Sequence, residues 1–206
     1  MTSTTATATQ SSTQRILERA IEVINEAGEA AIRTNPIAAE CGVTPPILYR
    51  AFKSREGLVI AAQAERYRRS TETATNLLVS QIATATSRDD LINKVSQALD
   101  FIFSDVRTEA REVRASVIGS AIARPELKAE IVKIDEWYID HIAAAYDDAF
   151  RKGWVKPEVN LRAIAMWAQG LTNSRLSVEF STDADLAKKW NELSKRALLS
   201  AIFGEA

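Results

Sequence analysis

A chain of 206 residues with 46% apolar and 26% charged side chains has enough apolar mass to bury a core without disulfides or metals. Seven glycines and five prolines argue against a turn-rich β architecture, and the single cysteine, Cys41, excludes both an intrachain disulfide and a thiolate metal cluster. The net charge of −1 is unremarkable as a sum, but its sign is uneven: residues 1–70 hold nine Lys/Arg against seven Asp/Glu, leaving 17 against 20 for the remainder.

The predicted elements are helical throughout. Residues 1–11, rich in Ser, Thr, Ala and Gln, carry neither a basic start nor an apolar stretch, so they read as a disordered tail and not as a secretory signal. Ser11 and Gln14 have the spacing of a capping box, and Ile16, Leu17, Ala20, Ile21, Ile24 and Ala27 then recur at helical spacing until Gly28 stops a first helix over 12–27. A short second helix opens with Asn35 as its cap and Pro36 in its first turn, and it carries Ile37, Ala38 and Cys41 on one face. Thr44 caps a third helix, about 45–51, with Pro45 at its first position, and Ser54 caps a fourth that runs to about Ser80. The second and third are joined by Cys41-Gly42-Val43-Thr44, in which Gly42 supplies a positive φ and Val43 plugs the angle. That pairing is a helix-turn-helix.

Further on, Ser87 opens a helix, another spans about 105–122, Pro125 starts one that Gly153 ends, and the last two cover about 158–180 and 184–203. No alternating strand pattern, repeat or membrane-length apolar run interrupts them. The expected fold class is all-α: a three-helix helix-turn-helix domain over 12–56, then a helical ligand-binding and dimerisation domain over 57–206.

From Ile37-Ala38 through Gly42-Val43-Thr44, Leu48-Tyr49 and Phe52-Lys53-Ser54-Arg55-Glu56 to Leu58, the chain resembles the TetR family of repressors. The resemblance implies a homodimeric, cytoplasmic, ligand-responsive transcriptional regulator, a repressor released from a palindromic double-stranded DNA operator by a small molecule, with no enzymatic activity. It places helix 3 in the major groove, with Thr44, Pro45, Pro46 and Arg50 toward bases or flanking backbone. Tyr49, Lys53 and Arg55 would meet phosphates, and Thr34 and Asn35 would contribute from helix 2. The chemistry agrees: helix N-termini favour phosphate and Arg suits guanine. The chain departs from the family pattern at Pro45-Pro46, which replaces a commoner small or basic pair, and at Ala51, where an aromatic or His usually precedes Phe52.

The aromatics of the C-terminal part suggest a largely apolar pocket with a few polar handles. Phe101, Phe103, Arg114, Trp137, Tyr138, His141, Trp167 and Arg175 are its candidate lining residues. His141 is the only histidine, so no zinc set is expected, and no cofactor either. Cys41, on an apolar helix face, reads as a structural thiol in a reducing cytoplasm. The last two helices carry apolar stripes that would pair with a second copy. The rival readings are a small-molecule carrier and a protein-docking module with a degenerate helix-turn-helix. No nucleophile set, carboxylate pair or phosphate loop supports catalysis.

Overall fold

A computed structural model describes residues 11–204, and the expected tail lies, apart from Ser11, outside them. The chain divides between Arg66 and Tyr67 into two compact units.

In the first unit, helix α1 (Ser12–Ala27) opens with the Ser11 hydroxyl accepting from the Gln14 N–H at 3.1 Å, and it stops at Gly28. A 3-10 turn (Glu29–Ala31) leads to α2 (Thr34–Glu40). This helix begins two residues earlier than expected: Arg33, in extended conformation, holds the cap position, so Asn35 lies inside the first turn and caps nothing. Pro36 is tolerated there because first-turn N–H groups have no helical partner. Gly42, at φ 64°, makes the turn, and α3 (Pro45–Phe52) starts from Thr44, whose backbone is extended but whose hydroxyl makes no capping bond. Helix α4 (Arg55–Ala83) follows, with the Ser54 hydroxyl accepting from the Gly57 N–H at 2.9 Å. Ile16, Ala20, Ile32, Ala38, Leu48 and Leu58 are fully buried together, so every helix of the unit gives one apolar face to a single core. At Gly57 a Cβ would run into the Phe52 carbonyl, so the end of α3 rests directly on the first turn of α4.

The second unit starts at Tyr67 within α4. It adds α5 (Arg88–Phe103), a 3-10 turn (Asp105–Arg107), α6 (Thr108–Ala121), α7 (Pro125–Ala145), the short α8 (Asp147–Arg151), α9 (Leu161–Glu179) and α10 (Ala184–Phe203). The expected single helix from Pro125 to Gly153 is broken at Tyr146, where the N–H turns to the Ala143 carbonyl and tightens the chain before α8. Helix α9 starts at Leu161, later than the expected 158, because Asn160 caps it, accepting from the Ala163 N–H at 3.0 Å. Asp183 caps α10 through the Asp185 and Leu186 N–H groups. Helix α9 is central, packing on α5, α6, α7 and α10. Leu91, Val95, Leu99 and Phe103 form a stripe at four-residue spacing along α5 and join Ile139, Ile142, Leu198 and Ile202 in one core. Phe103 meets Trp190 of α10 edge-on at 5.4 Å. Among the described helices none is long and apolar enough to cross a membrane.

Two substitutions check the first unit. Leu48→Ala is expected to lower its unfolding free energy by about 2–5 kcal/mol through a core cavity. Gly57→Ala is expected to lower it by about 1–3 kcal/mol, because the clash with Phe52 outweighs the ~1 kcal/mol that alanine gains in helix propensity. Urea unfolding followed by circular dichroism measures both, and a Gly57→Ala protein as stable as the parent would refute the close approach.

Candidate functional site

The outer face of the helix-turn-helix collects most of the polar side chains singled out in the sequence. Asn35, Thr44, Pro45, Pro46, Tyr49, Arg50 and Lys53 are exposed, while Leu48, Ile37 and Ala38 of the same helices lie in the core. The Tyr49 hydroxyl lies 3.0 Å from the Thr34 hydroxyl, which links α3 to α2 and fixes the phenol's direction. Lys53 sits at φ 69°, the only non-glycine at positive φ among the described residues, and its ammonium donates to the Arg50 carbonyl at 3.2 Å. That conformation ends α3 sharply and turns the chain into α4.

Arg55 is placed differently from Lys53. Its guanidinium points inward, Nε donating to the Ile32 carbonyl at 2.9 Å and Nη2 to the Glu29 carbonyl at 2.7 Å, so it braces the 3-10 turn against the start of α4. Carbonyls of a short turn have few other donors, which explains the attraction. Arg19 is likewise engaged, with Glu22 at 2.9 Å and Glu40 at 2.5 Å. Cys41 is half-buried and packs against the core, and burial pushes its thiol above the ordinary value, as suits a structural residue.

A cavity of about 40 Å³ lies in the second unit, room for on the order of three waters. Its wall is built by Ser70, Thr71, Ala74, Thr75 and Leu78 of α4, by Leu99, Ile102 and Phe103 of α5, by Arg107, Arg111 and Arg114, and by Tyr138, Ile142 and Gln169 of α7 and α9. Of the candidate lining residues, Phe103, Arg114 and Tyr138 reach it. Phe101 lies under the Arg107 guanidinium, 5.7 Å from ring centre. Trp137 and His141 stack on one another at 5.0 Å, with Trp137 exposed, and Trp167 is exposed on α9. Arg175 is buried but turned elsewhere, donating to Asn191 at 2.8 Å and Asp105 at 2.9 Å.

Polar groups behind the wall form two networks, one around Arg114 and one around Arg111. Arg114 donates to Thr71 at 2.6 Å and Asn173 at 2.9 Å, and stands 5.0 Å over the Tyr67 ring. Burial, more than any neighbour, pushes the Tyr67 hydroxyl up to about 12, so it stays a donor and bonds Asp135 at 2.9 Å. Gln169 donates to the Tyr67 hydroxyl at 3.1 Å, while its own Oε1 is buried without a partner. Arg111 is almost fully buried and fully used: it donates to the Ile102 carbonyl at 2.9 Å, the Ser104 carbonyl at 2.8 Å and Glu179. Arg107 and Arg111 escaped the sequence reading, although Arg107, Arg111 and Arg114 stand at the i, i+4, i+7 spacing of one helix face. Among the described residues no group of three His, Cys, Asp or Glu is disposed to hold a metal.

Residues 16–62 match the family model described as "Bacterial regulatory proteins, tetR family". No curated relative matches the chain. Among solved structures, a protein from Rhodococcus sp. assigned to the TetR-family transcriptional regulators is 21% identical with a TM-score of 0.60, covering 92% of this chain and 95% of its own. Another so assigned, from Mesorhizobium loti MAFF303099, is 13% identical with a TM-score of 0.68, over 93% and 96% of the two chains. A transcriptional regulator from Saccharomonospora viridis, solved in complex with choline, is 15% identical with a TM-score of 0.60, over 92% and 96%. At these identities the likeness is one of fold.

The Arg111 network makes a stability prediction. Arg111→Leu is expected to cost about 3–5 kcal/mol, since Glu179 is then left buried beside a weaker contact to Arg175. Chemical denaturation gives the number, and a loss below about 1 kcal/mol would show the pair to be dispensable.

Proposed function

We propose that the protein, whose residues 16–62 match the model of the tetR family of bacterial regulatory proteins, is a homodimeric transcriptional repressor that leaves a palindromic operator when a small molecule enters its second unit. The observation that carries this reading is the segregation on α2 and α3: Asn35, Thr44, Tyr49, Arg50 and Lys53 on the exposed face, the apolar residues of the same helices in the core. Arg50 and the ends of Thr44 and Tyr49 suit base edges and flanking phosphates, and Lys53 suits a phosphate. Arg55 serves that face by bracing it. Contact by few cations implies modest, salt-sensitive non-specific affinity, with sequence reading added on top.

Two half-sites call for two copies, with recognition helices about 34–36 Å apart. The pairing surface we assign is the outer face of α9 and α10, where Met166, Trp167, Leu186 and Leu193 are exposed. Leu186 and Leu193 stand seven residues apart, on one stripe. Exposed apolar side chains grouped in this way mark an association surface.

Release follows from α4. The helix supplies Ser70, Thr71, Ala74, Thr75 and Leu78 to the cavity wall and carries Arg55 in its first turn. A ligand that binds better when α4 is displaced draws the population toward that arrangement and away from the spacing the operator needs, and its differential affinity sets the size of the switch.

Two measurements test the reading. Fragment selection on DNA with the purified protein, at about 50 and about 200 mM salt, is expected to return a recurrent palindrome that survives the higher salt. Tyr49→Ala combined with Lys53→Ala is expected to abolish that binding while leaving fold and oligomeric state intact. Enrichment without a motif that vanishes with salt would reduce the protein to a general phosphate binder. Separately, Leu193→Glu is expected to turn a dimer into a monomer by size-exclusion chromatography with light scattering, and an unchanged mass would exclude that face.

A further inference from the structure

The cavity wall has an unusual charge balance. Arg107, Arg111 and Arg114 line it, and no Asp or Glu does. Arg111 is matched by Glu179. Arg114 donates to the neutral oxygens of Thr71 and Asn173, and the nearest carboxylate in its network, Asp135, is reached through the Tyr67 hydroxyl. Arg107 donates to the Ser70 carbonyl at 2.6 Å and otherwise lies against the Phe101 ring. Counting Arg175 with its solvent-exposed partner Asp105, four guanidinium groups face three carboxylates. One positive charge is left over in a partly desolvated place, which is costly unless an anion offsets it. Desolvation first, then the Arg111 and Arg114 charges, pull the Arg107 guanidinium below its ordinary value.

The apolar geometry adds a direction. A second void of about 30 Å³ shares Leu78, Leu99, Ile142 and Ala168 with the first, and of the residues lining it only Tyr146 carries a polar group. Rotamer shifts of Leu78 and Leu99 would join the two into one elongated space. Its arginine end also holds the partnerless Gln169 Oε1, and its far end is walled by Ile164, Leu198 and Ile202.

Resting on the reading of this cavity as the effector site, we propose that the effector is an amphipathic monoanion: a carboxylate held by Arg107 and Arg114, with an unbranched or aryl tail laid past Leu78 and Leu99 toward Ile202. The same charge balance selects against quaternary ammonium compounds.

Isothermal titration of the purified 206-residue chain with octanoate, octanamide and octyltrimethylammonium tests this without DNA present. Octanoate is expected to bind, with the other two at least about tenfold weaker, the scale of one charge-assisted hydrogen bond. Arg107→Met is expected to remove the preference for octanoate and Arg107→Lys to keep part of it, while both variants retain the parent's circular dichroism. Equal binding of the amide or the ammonium compound, absence of binding by all three, or an unchanged octanoate affinity in Arg107→Met would each overturn the proposal. If octanoate binds as expected yet leaves DNA affinity unchanged, the anion site stands and the release mechanism of the preceding subsection fails.

Discussion

The burial of one guanidinium organises the second unit. Arg111 is almost out of solvent, and each of its donor nitrogens has an acceptor: carbonyls at the end of α5 and the Glu179 carboxylate at the end of α9. Helix C-termini leave carbonyls without helical partners, and a buried cation leaves charge without solvent; here each deficiency answers the other. The consequence is positional. The α5 terminus, the 3-10 turn before α6 and the last turn of α9 are tied at one point, and Arg107 and Arg114, on the same face of the chain as Arg111, are carried to the cavity wall with it.

A comparable economy holds in the first unit. The Arg55 brace and the Phe52–Gly57 contact fix junctions at the start of α4, and the Thr34–Tyr49 hydroxyl pair adds a surface contact between α2 and α3. Helices of seven or eight residues such as α2 and α3 are unstable in isolation, so tertiary contacts must define their ends. The polar residues presented outward are thus oriented by apolar and backbone contacts made inward.

Most of this architecture was legible in the sequence, because the helical repeat of Ile16, Ala20, Ile24 or of Leu91, Val95, Leu99 is a local pattern that burial enforces directly. Caps made by Ser11, Ser54 and Ser87 were legible for the same reason: an N-cap is a contact between near neighbours. What escaped were long-range choices. Nothing local distinguishes Arg55, which turns inward, from Lys53, which stands out. Trp137, His141 and Trp167 have a composition suited to a pocket, yet helix rotation turns the first and last of them outward. Arg175 is a polar handle in type but turns its Nε and Nη2 to Asn191 and Asp105. The arginine triad was visible as a spacing, though its significance depended on which face of the chain turned inward.

The two prolines at the head of α3 carry a consequence of another kind. With both φ angles held by pyrrolidine rings, the first turn of α3 has little backbone freedom left, and its leading edge offers ring methylenes where amide donors would otherwise project. Such an edge behaves as a stiff hydrocarbon wedge: it has little disorder to surrender against a surface it meets, and it would discriminate there by shape more than by hydrogen bonds from its own backbone.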